Sequence, residues 1–229
     1  MKPFSTLAQT RTPNGAQLTL QEHDGQFYLK LNGRQLMSST AASSELRIAE
    51  LACDAVRNKP GPSILIGGLG LGFSLRRVLE LVGLNARVHV AELLQEVIDW
   101  NRQFLTSLNG ALLEDPRVEV FAEDVFKTIG RAPAATYDAI LLDVDNGPNA
   151  LVAGQNSRLY DRFGFGRIAR ALKLTPPGRV AYWSAVEDPA FAKRLSRSGF
   201  KVEAFGAKSH PSAKRLAHTI YVGERVEVK

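Results

Sequence analysis

Cysteine is almost missing from this chain. Cys53 stands alone, which excludes an intrachain disulfide and predicts a reducing, cytoplasmic setting. It falls within the apolar pattern Ile48, Leu51, Ala52, Ala55 and Val56, the place of a buried structural thiol. No apolar run approaches membrane-spanning length, and the N-terminus turns polar too soon for a signal peptide. The histidines His23, His89, His210 and His218 are scattered, so no His/Cys cluster has metal-ligand spacing and no metal is expected. Internal repeats and low-complexity tracts are also lacking. What remains is the composition of an ordinary soluble globular protein, 45% hydrophobic and 23% charged. At 229 residues it can build one large core and a small accessory unit. The net charge of +6 resides largely in Lys193, Arg194 and Arg197 on one predicted helix and in Lys208, Lys214 and Arg215 in a loop. That distribution describes a solvated basic face. Without an aromatic-rich basic groove beside it, nucleic-acid binding is not expected.

Against this plain background one segment stands out, Ser63-Ile-Leu-Ile-Gly-Gly-Leu-Gly-Leu-Gly-Phe73. The apolar run Ile64 to Ile66 reads as a buried parallel strand, and Phe73 to Gly83 carries an apolar stripe at helical spacing. Between them Gly67, Gly68, Gly70 and Gly72 form a turn whose backbone N–H groups can make a nest at a positive helix end. The spacing Gly68-x-Gly70-x-Gly72 is not the G-x-G-x-x-G of dinucleotide folds, because Phe73 occupies the required third position. It suits a nucleoside better than a pyrophosphate. A tight strand-to-helix turn without a ligand is the plainer alternative.

Three further strands end in acids. Arg87 to Glu92 is the next, its acid about 20 residues beyond the last glycine, where a carboxylate can accept from both ribose hydroxyls. Val118 to Phe121 is followed by Glu123 and Asp124, and Tyr137 to Asp143 again closes on an acid. Ligands of open α/β sheets bind outside the carboxyl ends of the strands. Taken singly, Glu123 or Asp124 reads as a helix N-cap. Jointly, the glycines, Glu92, Asp124 and Asp143 converge on one rim.

Two domains are expected, residues 1–60 and 61–229. In the first, Gln17 to Glu22 and Phe27 to Leu31 alternate around His23-Asp-Gly25 as a hairpin. A second turn at Asn32-Gly33 leads to Gln35–Met37, and a helix from about Ser44 to Arg57 precedes the linker Lys59-Pro-Gly-Pro62. Beyond it, helices are expected near 71–83, 95–107, 157–173 and 188–198. Strands are expected near 63–67, 87–92, 117–121, 138–143, 178–184, 200–205 and 217–223. Gly206 to Leu216 lacks helical periodicity and reads as a hairpin connection, so the last strand runs antiparallel to an otherwise parallel sheet. The fold class is α/β: a seven-stranded, mostly parallel, doubly wound sheet of the adenosylmethionine-transferase type with a small N-terminal β-hairpin domain.

With the hairpin unit ahead of that sheet, the chain resembles the spermidine synthases (polyamine aminopropyltransferases). The resemblance runs from roughly Gly25 to Ser184. It covers Leu31-Asn-Gly33, a Ser/Thr-rich segment with Glu45, Ile64-Leu-Ile-Gly-Gly68, Ala91 to Ile98, Asp115-Pro-Arg-Val118 and Tyr137 to Asp143. Gly147-Pro148, Arg158-Leu-Tyr160 and Ala171 to Gly178 follow in order. It implies a cytoplasmic homodimer that transfers a group from adenosylmethionine or its decarboxylated form to a small-molecule amine. It further implies that Gly67, Gly68, Gly70 and Gly72 support the nucleoside, Glu92 the ribose and Asp124 the adenine. Asp143 would deprotonate or orient the amine, with Asp145 as its neighbour, and Tyr160 and Trp183 are candidates for the acceptor pocket or for core packing. The family's glycine loop carries an Asp where Gly70 stands, its Tyr-His-Glu is Ser43-Ser44-Glu45 here, and the second acid of its Asp-x-x-Asp-Pro comes one residue early at Asp145. Methyl transfer to a small molecule or nucleic acid is the alternative chemistry. That pattern is incomplete too, since Ile66 holds the place of its ammonium-binding acid. A non-catalytic family member is the third reading.

Overall fold

The computed structural model describes residues 3–144 and 156–226. The predicted Asp145 and the Gly147-Pro148 motif therefore lie outside the described residues. Two sheets organise the chain. The first has four antiparallel strands in sequential order: β1 (Ser5–Arg11), β2 (Gln17–His23), β3 (Gln26–Leu31) and β4 (Arg34–Ser38). The β2–β3 hairpin follows from its alternation, with Leu18, Leu20, Phe27, Leu29 and Leu31 buried. β1 was not anticipated, because its sequence is polar and mostly uncovered and carries no inward stripe.

Regular pairing of β3 with β4 breaks once. Lys30 faces Gln35 and Leu29 faces Met37, leaving Leu36 as an extra residue in a β-bulge. A bulge turns two successive side chains toward one side, where plain alternation would send Leu36 and Met37 to opposite faces.

Helix α1 (Ser43–Cys53) then leads to the second sheet, with a short 3-10 turn at Asp54–Val56. The alternating units are β5 (Ser63–Gly67), α2 (Phe73–Leu81), β6 (Arg87–Glu92), α3 (Gln95–Gln103), α4 (Thr106–Asn109), β7 (Val118–Ala122), α5 (Val125–Arg131) and β8 (Ala139–Leu142). After these come α6 (Arg162–Ala171), β9 (Arg179–Ser184), α7 (Pro189–Ser196), β10 (Phe200–Ala207) and β11 (His218–Arg225). The sheet order is β10-β11-β9-β8-β5-β6-β7. β11 lies antiparallel between β9 and β10, and the remaining pairings are parallel. The antiparallel last strand and the seven-stranded class agree with the sequence expectation.

Central β5 is buried along its whole length, which is why Ile64-Leu-Ile66 is a continuous apolar run. Alternation across the sheet sorts the core into two layers. Ile64, Ile66, Val88, Val90 and Leu141 pack with α1, α2, α3 and the N-terminal sheet. Leu65, Ile140 and Leu142 pack on the other side with α5, α6 and α7. Three local expectations need correction. The helix expected over 95–107 breaks after Gln103 and resumes at Thr106; the helix over 157–173 begins only at Arg162, where Asp161 caps it by accepting from Gly164 N–H; and α5, signalled only by its cap Asp124, was not among the expected helices.

Candidate active site

The sheet order turns back between β5 and β8: β6 and β7 follow β5 on one side, β8 and β9 lie on the other. Such a switch point opens a crevice at the carboxyl ends of the strands. A cavity of about 570 Å³ lies there, and its walls include Gly68, Gly70, Glu92, Asp124 and Asp143. Two of the predicted glycines fall outside this wall: Gly67 lies behind it as the last residue of β5, and Gly72 caps α2 with its open side toward Asn101, Asn109 and Leu112.

The glycine turn is shaped by contacts that exclude a side chain. Gly68 has φ +91°, and a Cβ there would overlap the carbonyl oxygen of Asp143. Gly70 has φ +51°, and a Cβ would come within 2.5 Å of Met37 Sδ. Gly68 requires glycine for conformation and for space, and Gly70 for its positive φ. Gly68 N–H donates to Ala91 O (2.9 Å) and Asp143 N–H to Gly67 O (3.0 Å), tying the turn to β6 and β8. Two asparagines missed by sequence reasoning brace it from outside. Asn101 Nδ2 donates to Gly70 O (2.8 Å), and Asn109 Nδ2 donates to Leu71 O. Asn101 is buried on α3 among apolar neighbours, and a lone polar residue on such a stripe was the only available signal.

Glu92 serves this scaffold directly. Its Oε2 accepts from Leu69 N–H (2.9 Å) and its Oε1 from Leu94 N–H (3.0 Å), so the carboxylate joins the turn to the end of β6. Burial raises its pKa, and the amide donors pull against that rise. The amides of Gly70 and Leu93 also bear on the carboxylate. Asp124 is the N-cap of α5, accepting from Phe126 N–H (2.8 Å), and its second oxygen pairs with Arg158 (3.0 Å). Its neighbour Glu123 is held by Thr128 Oγ1 (2.6 Å) and Arg131.

At the other side of the turn the chemistry changes. Asp143 follows β8, and Glu45 sits in the first turn of α1; both line the cavity. Neither has an ion-pair partner among the described residues. Burial, and then the charge of Glu45, push Asp143 up to about 7. Burial likewise raises Glu45, against the Ser44 hydroxyl, which donates to it at 2.6 Å. Ser74, in the first turn of α2, reaches Glu45 O (3.3 Å) and Asp143 Oδ2 (3.5 Å), so one hydroxyl touches both elements. Two buried carboxylates with no ion-pair partner among the described residues suit a single cation, and a carboxylate near 7 is well matched to take a proton at neutral pH. The Glu45–Asp143 juxtaposition was not legible as a pair, since the two stand 98 positions apart in the chain.

The two aromatic candidates part ways. Trp183 lines the cavity, its ring 4.7 Å from that of His218. Tyr160 instead packs against Tyr182 and Phe191 in the core.

Comparison with known proteins agrees with this arrangement. The polyamine aminopropyltransferase of Pyrobaculum calidifontis is 30% identical over 142 residues, 58% of this chain and 48% of that protein. That of Mycobacterium tuberculosis is 35% identical over 112 residues, 48% of this chain and 20% of that one. The chain thus spans about half the length of the first of these relatives and a fifth of the second. Among solved structures, spermidine synthase from Thermotoga maritima superposes with a TM-score of 0.70 over 98% of this chain and 74% of that chain, at 16% identity. A spermidine synthase in complex with the transition-state analogue AdoDATO gives the same score over 96% and 72%. The match to the spermine/spermidine synthase domain runs over residues 51–175, from within α1, past the glycine turn, Glu92, Asp124 and Asp143, to the loop after α6. More than half of the chain, including most of the cavity's strand ends, is covered by that match, and the protein belongs to the spermine/spermidine synthase family.

Proposed function

We propose that this chain is an aminopropyltransferase-type enzyme that alkylates an amine with an adenosyl-sulfonium donor. One observation carries the reading: Glu45 and Asp143, an acid pair with no ion-pair partner among the described residues, stand beside a glycine turn whose Gly68 lies against the Asp143 backbone. In this reading Gly67, Gly68, Gly70 and Gly72 support the nucleoside, Glu92 the ribose and Asp124 the adenine edge. Asp143 receives the amine's proton, with Asp145 beside it in sequence. The amine lone pair forms a bond to the carbon on sulfur while the C–S pair returns to sulfur, leaving a neutral thioether. Most of the catalysis is positioning: the turn and the acid pair bring nitrogen and carbon within near-attack reach. A bound ammonium lowers the pKa of Asp143 through its charge, and the base is regained as the proton leaves.

Decarboxylated adenosylmethionine is the donor this family reading favours. Methyl transfer from adenosylmethionine is the second reading, and the apolar cover of Met37 over Gly70 favours it: among the described residues no acid meets that point, the ammonium is the only charge on an aminopropyl arm, and the adenosylmethionine arm also offers a carboxylate. Incubation with each nucleoside and a panel of amines, followed by product masses, decides. An aminopropyl adduct establishes the first reading and a methyl adduct the second. Absence of any heat on calorimetric titration with methylthioadenosine, adenosylmethionine and the decarboxylated nucleoside overturns both. We further propose a homodimer formed through the N-terminal sheet, whose β1 and β4 edges are unpaired within the sheet order. Light scattering that gives a monomer mass at micromolar concentration defeats it.

A further inference from the structure

Strand register places an aromatic ring beside the acid pair. β8 and β9 run parallel with Leu141 opposite Ala181 and Leu142 opposite Tyr182, so the next step sets Asp143 opposite Trp183. Asp143 N–H still donates to Gly67 O, which carries the ladder on to that residue. Leu141 and Ala181 face the layer packed with α1, and by alternation Asp143 and Trp183 point to the same side. Neighbouring strands lie about 4.8 Å apart, and Glu45 arrives on that side from the first turn of α1. All three residues line the cavity, and among the described residues Trp183 is its only aromatic. Trp183 Nε1 is buried with no hydrogen-bond partner among the described residues, so the indole meets the cavity through carbon. His218, which is not on the cavity wall, lies against the ring at 4.7 Å with a 37° tilt. Burial lowers the His218 pKa, so its imidazole adds no positive charge at neutral pH. A buried N–H without an acceptor is a cost that phenylalanine or leucine would not carry. What tryptophan adds in exchange is the strongest π face for a cation.

We propose that Trp183 is a binding residue for the acceptor amine, its indole face meeting the ammonium that Glu45 and Asp143 attract. This rests on the transferase reading above. The carboxylates supply charge from α1 and from the end of β8, and the ring closes a third side from β9. An ammonium drawn out of water loses hydration, and a π face returns part of that loss where an aliphatic side chain returns none. The contact asks for one cationic nitrogen on an aliphatic amine and is indifferent to what the rest of the chain carries.

The chain has two tryptophans, Trp100 in α3 and Trp183, so both can be replaced biosynthetically by 5-fluorotryptophan or by 5,7-difluorotryptophan. Each fluorine draws electron density from the ring face with little change of size. The full-length protein, saturated with methylthioadenosine, is titrated calorimetrically with 1,4-diaminobutane and with spermidine, and the tighter of the two is followed. Its Kd is expected to rise about two-fold with one fluorine and at least four-fold with two, while methylthioadenosine affinity holds. In Trp183→Phe protein only Trp100 is labelled, and the dependence on fluorine should vanish. Should a labelled protein not fold, Trp183→Phe and Trp183→Leu replace the series: phenylalanine should keep amine affinity within five-fold of the parent, and leucine should lose ten-fold or more. Amine affinity that ignores fluorine, a fluorine dependence that survives in Trp183→Phe, equal losses in the phenylalanine and leucine variants, or binding of neither amine overturns the proposal. Failure of methylthioadenosine itself to bind defeats the underlying transferase reading instead, so the two failures are distinguishable.

Discussion

Asp143 carries opposite consequences for stability and activity. Its burial and the Glu45 charge penalise only the ionised form, raising it from an ordinary 3.8 to about 7. Between those values the native chain binds a proton that the unfolded chain releases, so this contribution is full below the lower value and is lost as pH rises through the upper one. Asp143→Asn keeps the shape and removes the charge. The variant should be more stable than the parent at pH 8 by roughly 1–3 kcal/mol, with the gap closing toward pH 4. Turnover should fall by about 10²–10⁴-fold, the usual worth of a general base. Thermal melts across pH, paired with single-turnover rates, check both; a destabilised Asn variant at pH 8 would remove the strained-pair argument. Glu92→Gln probes the neighbouring role. Glutamine retains one acceptor oxygen for Leu69 or Leu94, and the folded chain should survive with a loss of about 1–2 kcal/mol. Methylthioadenosine affinity should drop by roughly ten-fold or more if the same carboxylate also accepts from ribose hydroxyls, since hydrogen bonds to charged groups are worth about 1.5–3 kcal/mol. Unaltered affinity by calorimetry would reduce Glu92 to a scaffold residue.

Among the elements, α5 separates two roles of Asp124 that overlap in sequence. Its side chain caps the helix and pairs with Arg158 while facing the cavity. Asparagine is as good an N-cap as aspartate and alanine is not. Asp124→Asn should therefore hold stability within about 0.5 kcal/mol, while Asp124→Ala should cost about 1 kcal/mol or more. Both should weaken nucleoside binding if the carboxylate accepts from the adenine amine. Denaturant unfolding and calorimetry on the two variants read the roles apart, and unchanged affinity in both leaves only the cap. The same helix shows where the sequence was legible and where it was not. The β5–turn–α2 unit could be read because a continuous apolar run, a glycine cluster and a 3.6-residue stripe agree with one another. α5 is two turns long with Gly130 in its last turn, too short for periodicity to register, and Asp124 was its one signal. β1 gave no inward stripe because its pairing with β2 depends on backbone hydrogen bonds. The strand-end acids were visible from register alone. Their partners were not: Glu45 meets Asp143, and Met37 meets Gly70, only through the tertiary packing of α1 and β4 against the turn.

For the molecule as a whole, the two sheets share their interior. Leu18, Leu20 and Leu29 of the N-terminal sheet belong to the same packed cluster as Ile48 and Ala52 of α1 and Ile64 and Ile66 of β5. Thr10 Oγ1 also donates to Glu96 Oε1 (2.7 Å), fastening β1 to α3. A four-stranded sheet of this size has too little apolar surface to be stable without such a partner. Differential scanning calorimetry should accordingly give one transition, with calorimetric and van't Hoff enthalpies in agreement. Because both sheets line the cavity, methylthioadenosine should move that single transition upward as one unit. At a ligand concentration of about 100 times Kd the stabilisation should be roughly 2.7 kcal/mol, which shifts Tm by about 5–11 °C in a chain of this size. Two resolved transitions, with only the later one responding to the nucleoside, would show that the N-terminal sheet melts on its own and contributes no wall to the bound state.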